Sequence, residues 1–291
     1  MKFKLTMATT ATAAIILAGC GGGSNGSDAG SGSGGGSGSA TTTGTFKDAI
    51  VQNLGYKCAS SETKFTTSEG KFTCNTGDKV EFFVGAYSLG TVAVKSGVTT
   101  PYSLYPSNFN AALNVARILQ TIEDATDGTI AIPDGFNKLD AVTDTKPGDA
   151  DFNATIEKEL PNLVSAEDAT EHMVNSLLVG SKWEVVENTT SSTCQEEIPT
   201  KTYILTFASF DISTNTIVMH TPIGDQTGNY NPATNKITYT GQIPEDGGTT
   251  TVNTILTPNA SFETISGNST WTWSDGADSC SGTTQITATW Q

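Results

Sequence analysis

The sequence predicts a mainly β protein with some α-helix, in which a small antiparallel β module with helices precedes an eight-stranded antiparallel barrel or sandwich. Three observations predict this class. Short β-branched and aromatic segments alternate with glycine-containing turns before residue 100. Two segments with helical spacing of apolar residues follow. After residue 178, short strand-like segments recur at even spacing up to the C-terminus.

The first module begins near Phe46 with antiparallel strands predicted at residues 71–74, 79–84 and 89–94. The period then changes, because apolar residues recur at helical spacing at Val115, Ile118, Leu119 and Ile122. Asn110 is the predicted N-cap of this helix. A mixed β and α module is therefore expected.

A second helix is predicted from Ser165 to Leu178, since Ser165 and Asp168 resemble a capping box. His172 lies beside its apolar stripe. The residue is a candidate catalytic base, but no motif connects it with a nucleophile or an acid. A packing or capping role is the favoured interpretation.

The second half is predicted to be β throughout. Turn signals at residues 246–248, 266–268 and 281–282 separate several of the segments. The eight predicted strands are residues 183–186, 203–207, 216–219, 236–240, 251–256, 261–265, 269–273 and 284–290.

The amino terminus carries a positively charged start and a short apolar segment, Met7–Ala18, which falls short of the roughly 20 residues that a membrane span needs. At the end of this segment, Leu17-Ala18-Gly19-Cys20 resembles the lipobox of bacterial lipoproteins. The resemblance implies a signal peptide over residues 1–19 and a lipid on Cys20, which would anchor the chain to a membrane. In such lipoproteins, aspartate directly after the lipidated cysteine retains the protein at the inner membrane. The resemblance therefore implies the outer membrane for this chain, because Gly21 stands at that position.

The chain is predicted to divide into four parts. Residues 1–19 form the signal peptide, and residues 20–45 form the lipidated cysteine with a Gly/Ser-rich tether. Residues 46–178 form the β module with helices, and residues 179–291 form the barrel or sandwich.

Charge and cysteine content narrow the function classes. The formal net charge of −15 argues against nucleic acid as a partner, because phosphate recognition needs clustered Lys and Arg. Besides Cys20, four cysteines remain, and export predicts disulfides. The nearest pairs are Cys58 with Cys74 and Cys194 with Cys280, although four cysteines allow three connectivities. A zinc site is disfavoured, because CxxC spacings are missing.

Residues 124–151 are rich in aspartate and form a candidate calcium site, since clustered carboxylates are calcium ligands. A solvated acidic loop is the alternative, and the spacing differs from that of an EF-hand loop. We expect no cofactor other than this candidate calcium.

Several segments resemble a module of uncharacterised bacterial lipoproteins. Residues 77–85 read GDKVEFFVG and residues 114–122 read NVARILQTI, similar to the GDxVxFxxG strand and NIARLLQTL helix of that module. The strands also resemble prealbumin-like modules, and residues 267–284 resemble a secreted β-module. Gly180-Ser181-Lys182-Trp183 is similar to the Gly-x-Trp entrance of lipocalins, with one extra residue. None of these resemblances implies an activity.

Trp271 and Trp273 are the candidate ligand-binding residues. Two positions apart on a strand, they share one face. They either form a platform for sugar rings, or they close the barrel or pair across strands. No hydrolase, P-loop or Rossmann motif occurs, so the chain is not expected to be an enzyme. The sequence favours a surface binding module for a glycan or another envelope protein, then a lipocalin-like carrier of a small apolar ligand, then a hydrolase.

Overall fold

The computed structural model describes residues 40–123, 128–195, 197–245 and 247–291. The described residues belong to one compact unit. The predicted signal peptide, Cys20 and residues 21–39 of the predicted tether lie outside the described residues. The predicted fold class is confirmed, because small sheets and helices precede a closed antiparallel barrel of eight strands.

Nine short strands form three small sheets in the first part of the described chain. The strands are β1 (Thr41–Phe46), β2 (Ile50–Gln52), β3 (Gly55–Cys58), β4 (Thr63–Phe65), β5 (Lys71–Asn75), β6 (Lys79–Val84), β7 (Tyr87–Ala93), β8 (Gly97–Thr99) and β9 (Thr129–Ala131). The strand orders in the three sheets are β5-β1-β8, β2-β9 and β4-β3-β6-β7. Strand β1 begins at Thr41, so the last residues of the predicted tether belong to a sheet.

Four α-helices accompany these sheets: α1 (Pro101–Leu104), α2 (Phe109–Ile122), α3 (Phe152–Glu159) and α4 (Ala166–Leu177). The predicted Ser165 cap of α4 is confirmed, because its hydroxyl accepts from the Asp168 backbone nitrogen (3.0 Å). Helix α2 begins two residues earlier than predicted, since Asn108 rather than Asn110 accepts from the Ala111 nitrogen. No described helix is long and apolar enough to cross a membrane.

The remaining strands follow one another around the barrel, each antiparallel to the next, and the last pairs with the first to close it. They are β10 (Lys182–Ser192), β11 (Lys201–Asp211), β12 (Thr216–Thr221), β13 (Gly224–Asn231), β14 (Lys236–Glu245), β15 (Gly248–Pro258), β16 (Thr264–Ser274) and β17 (Ser279–Trp290).

The predicted number of eight barrel strands is right, but two of the predicted strands correspond to a single strand and one observed strand was not predicted. Residues 261–265 and 269–273 both fall on or beside β16. Strand β13 is not among the predicted strands, because its Gly, Asn and Asp residues have low β propensity.

The predicted turns at 266–268 and 281–282 are inside strands. A Cβ atom on Gly267 would collide with the Ile255 carbonyl oxygen of the neighbouring strand. This glycine permits close strand approach and is not a turn signal.

Helix α2 lies between two hydrophobic cores. One of its faces packs Val115, Ile118 and Leu119 into the core of the small sheets. Its other face packs Ala112 and Ala116 against a core that α4 shares with the barrel. The helix therefore couples the packing of both halves of the described chain.

The connector between β15 and β16 joins the barrel to the corner between β8 and α1. The carbonyl oxygen of Ala260 accepts hydrogen bonds from the hydroxyls of Thr100 (2.6 Å) and Ser103 (3.0 Å). The ring of Phe262 packs against Tyr102 with centroids 5.3 Å apart. Buried polar and apolar contacts thus fix the barrel against the helices.

Candidate functional site

A groove of about 680 Å³ lies on the outer wall of the barrel. It crosses β14, β15 and β16 and reaches β17 at Gln285. Side chains alternate between the two faces of a strand, and along β15 and β16 more exposed residues alternate with more buried ones. The more exposed residues are those that face outward. Five of them contribute hydroxyl groups to the groove: Thr238, Thr240, Thr257, Ser266 and Thr270.

Strand register aligns the groove residues in rows across the sheet. Thr238 lies opposite Ile255, Ile255 lies opposite Asn268, and Asn268 lies opposite Gln285. At about 4.8 Å between neighbouring strands, this row spans roughly 14 Å. A second row, through Thr240, Asn253 and Thr270, runs parallel to it. The groove is therefore a regular grid of side chains.

The groove is almost free of charge, although the whole chain carries −15. Lys236, at one end, is the only charged residue in its lining. Ile255 is the only aliphatic side chain that faces outward there, and 51% of it is exposed. Hydroxyl and amide groups both donate and accept hydrogen bonds. This lining suits a neutral ligand that also does both.

One groove side chain is already oriented. The Thr240 hydroxyl donates to the Asn253 side-chain oxygen, at 2.9 Å. With its oxygen bonded to Thr240, the Asn253 amide directs its NH₂ group away from Thr240. A side chain held in place costs less conformational entropy when a ligand binds.

The predicted ligand-binding residues Trp271 and Trp273 lie on the opposite face of β16 from the groove. They share the inward face with the buried residues Ile265 and Ser269, and both are half-buried. The indole nitrogen of Trp271 donates to the Thr284 hydroxyl (3.1 Å). The structure thus places the pair on one face, within the barrel wall.

Polar pairs occupy the same part of the barrel interior as these tryptophans. Tyr203 donates to Glu187 (2.7 Å), and the Tyr239 hydroxyl donates to Gln226. Burial raises the pKa of the Tyr203 phenol, and the negative charge of Glu187 raises it further. Each of these inward-facing polar groups is paired by a neighbouring strand.

The barrel interior nearest the helices is filled with large side chains. Trp183, Phe207 and Tyr230 are fully buried there, and the rings of Trp183 and Phe207 meet edge to face with centroids 6.2 Å apart. The Trp183 indole nitrogen donates to Ser181 (2.7 Å) at the entrance to the first barrel strand. Packing of this kind closes that end of the barrel.

His172 faces a buried carboxylate. Its Nδ1 atom lies 3.9 Å from Oδ1 of Asp48, which is fully buried between β1 and β2. The Gln120 amide donates to the Asp48 carboxylate, at 3.1 Å from Oδ2. Burial raises the pKa of the Asp48 carboxyl to about 7, while the hydrogen bond from Gln120 opposes this shift. Asp48 was not predicted, because sequence gives no sign that a loop carboxylate becomes buried.

The aspartates of the predicted calcium loop serve different partners. Asp134 accepts from the Asn53 amide (2.9 Å), and Asp140 accepts from the Ala86 backbone nitrogen (2.6 Å). Asp124 and Asp127 lie outside the described residues. Across the ranges that are described, no group of three or more His, Cys, Asp or Glu residues is placed to hold a metal ion.

Two disulfides are present, which confirms the prediction of disulfide bonds. Cys58 is joined to Cys74, and Cys194 to Cys280. The first bond is buried between β3 and β5. The second is half-exposed and joins the segment after β10 to the start of β17.

The chain matches no protein-family model, no curated protein and no solved structure.

Proposed function

We propose that this chain is a lipid-anchored, non-catalytic protein of the bacterial cell envelope, located at the outer membrane, which binds a ligand along the outer groove of its barrel. The observation that carries the proposal is the grid of neutral hydroxyl and amide side chains in a strongly acidic chain. The volume of the groove lies in the range of ligand sites, about 300–1,000 Å³.

The anchoring part of the proposal rests on Leu17-Ala18-Gly19-Cys20 and its resemblance to a lipobox. Cys20 would carry the lipid, and the Gly/Ser-rich segment that follows would hold the folded part away from the headgroups. Membership of the uncharacterised lipoprotein family is part of the same proposal. The membrane is then the first partner and the groove ligand the second.

The barrel interior favours binding on the outside over a carrier role. Trp183, Phe207 and Tyr230 occupy the end nearest the helices, and polar pairs such as Tyr203 with Glu187 occupy the region of the tryptophans. A small apolar ligand inside the barrel would have to displace these contacts. The groove needs no such rearrangement.

The proposal is tested by screening immobilised glycans, lipids and envelope proteins with the full chain in detergent and with two variants. Asn268→Lys places a long, charged side chain in the middle row of the groove. Thr202→Lys places the same side chain on the exposed outer face of β11, a strand that contributes no residue to the groove. We expect a ligand that binds the unmodified chain and Thr202→Lys but not Asn268→Lys. Equal binding by both variants would contradict the proposal.

A further inference from the structure

We infer that the groove binds an extended, neutral glycan chain, which lies across the strands along the row Thr238, Ile255, Asn268 and Gln285. This inference rests on the proposed function and specifies the ligand class and its direction. Three features of the groove carry it: its charge, its hydrogen-bonding chemistry and its repeat.

Charge excludes the ionic ligand classes. A phosphorylated, sulfated or uronic-acid ligand would require several Lys or Arg side chains, and the groove offers Lys236 alone. A cationic ligand would require carboxylates, and no Asp or Glu lines the groove. In a chain with 30 acidic residues, a surface of this size without one of them is distinctive.

Hydrogen-bonding chemistry favours sugars over other neutral ligands. A drug-like or lipidic ligand binds sites lined mainly by apolar and aromatic side chains. Protein partners favour surfaces rich in aromatic residues, Met and Arg. Here hydroxyls and the amides of Asn253, Asn268 and Gln285 face outward, and each can both donate to and accept from a sugar hydroxyl. Ile255 lies among them and offers an apolar contact for the C–H face of a sugar ring.

The repeat favours a chain over a single sugar. Successive residues of the row lie on successive strands, about 4.8 Å apart, which is close to the length of one sugar residue in a glycan. The parallel row through Thr240, Asn253 and Thr270 contacts the other edge of the same chain. A glycan lying along the row would therefore meet polar pairs on β14 and β16, Ile255 beside Asn253 on β15, and Gln285 on β17.

The test titrates the full chain with neutral gluco-, manno- and xylo-oligosaccharides of increasing length, and with oligogalacturonate and heparin fragments. For the neutral series that binds, affinity should rise by about tenfold or more from the disaccharide to the tetrasaccharide and then level off, because four strands supply the row. Gln285→Ala should lower the affinity for the tetrasaccharide and leave that for the disaccharide nearly unchanged.

The outcomes separate the two proposals. A charged or monosaccharide ligand that Asn268→Lys abolishes would overturn this inference and leave the proposed function standing. Binding that never depends on Asn268 would overturn both. A length profile that rises and levels off, abolished by Asn268→Lys, supports both.

Discussion

The side chain of Glu263 accepts a hydrogen bond from the backbone nitrogen of Val98 at 2.8 Å, although 165 residues separate them. Its other oxygen accepts from the Ser261 hydroxyl, also at 2.8 Å. The bond satisfies a backbone donor of β8, which would otherwise remain unpaired in a part-buried position. The connector between β15 and β16 is therefore hydrogen-bonded to β8 of the small sheet.

Replacing Glu263 with Ala should lower the free energy of unfolding by about 1–3 kcal/mol, because the Val98 nitrogen loses its acceptor. Glu263→Gln keeps one oxygen for Val98 and can donate to Ser261, so it should cost less than about 1 kcal/mol. Urea denaturation of the two variants checks this. Equal losses would show that the bond to Val98 is not what stabilises the junction.

Gly267→Ala should destabilise the barrel by about 1–3 kcal/mol, since the new methyl group would overlap the Ile255 carbonyl and Leu256. Ser266→Ala, on the neighbouring outward-facing position, should change the free energy of unfolding by less than about 0.5 kcal/mol. Thermal unfolding followed by circular dichroism measures both. A Gly267→Ala variant as stable as the unmodified chain would contradict the role assigned to this glycine.

Asp48→Asn should change how stability depends on pH. The pKa of Asp48 is about 7 in the folded chain and 3.8 ordinarily, so the folded state holds this proton more tightly. The free energy of unfolding of the unmodified chain should then fall as pH rises from about 4 to about 7. In Asp48→Asn this contribution is absent, while the asparagine oxygen can still accept from Gln120.

Denaturation midpoints near pH 4 and above pH 7 test this prediction. The Asn variant should gain stability relative to the unmodified chain at the higher pH, at about 1.4 kcal/mol for each tenfold difference in proton affinity. Asp211→Asn is the control, because hydrogen bonds from Ser213 lower the pKa of Asp211 and give the opposite sign. A parallel pH dependence in Asp48→Asn and the unmodified chain would refute the prediction.

Mild reduction should open the two disulfides in order. Cys194–Cys280 is half-exposed and should react first, whereas Cys58–Cys74 is buried and needs local unfolding. The cysteines of Cys194–Cys280 are 86 residues apart in the sequence. Opening this bond should lower the free energy of unfolding by up to about 5 kcal/mol, because the unfolded chain gains loop entropy. Timed alkylation with mass spectrometry gives the order, and earlier labelling of Cys58 would contradict it.

Local signals in the sequence predicted much of the fold. The Ser165 cap of α4, the buried face of α2 and the alternation of most barrel strands depend on neighbouring residues, and the structure has all of them. Strand β13 and the interior glycines were misread, because glycine in a tightly curved barrel has the same local signature as glycine in a turn.

The groove could not be predicted in the same way. Alternation identifies Ile255 and Asn268 as outward-facing, but their alignment with Thr238 and Gln285 is set by pairing between strands. Likewise, the proximity of His172 and Asp48 depends on how α4 packs beside the loop after β1. Both features arise from tertiary contacts between distant segments.

The central claim is that the outer groove is the binding face. It is tested most directly by titrating a neutral oligosaccharide that binds the unmodified chain into two matched variants. Ile255→Ala and Ile204→Ala each remove an exposed, outward-facing isoleucine of the barrel, 51% and 47% exposed. Only Ile255 lies in the groove. We predict that Ile255→Ala binds about tenfold more weakly, a loss of about 1.4 kcal/mol, while Ile204→Ala binds like the unmodified chain. Unchanged affinity in Ile255→Ala, or equal weakening in both variants, would contradict the account.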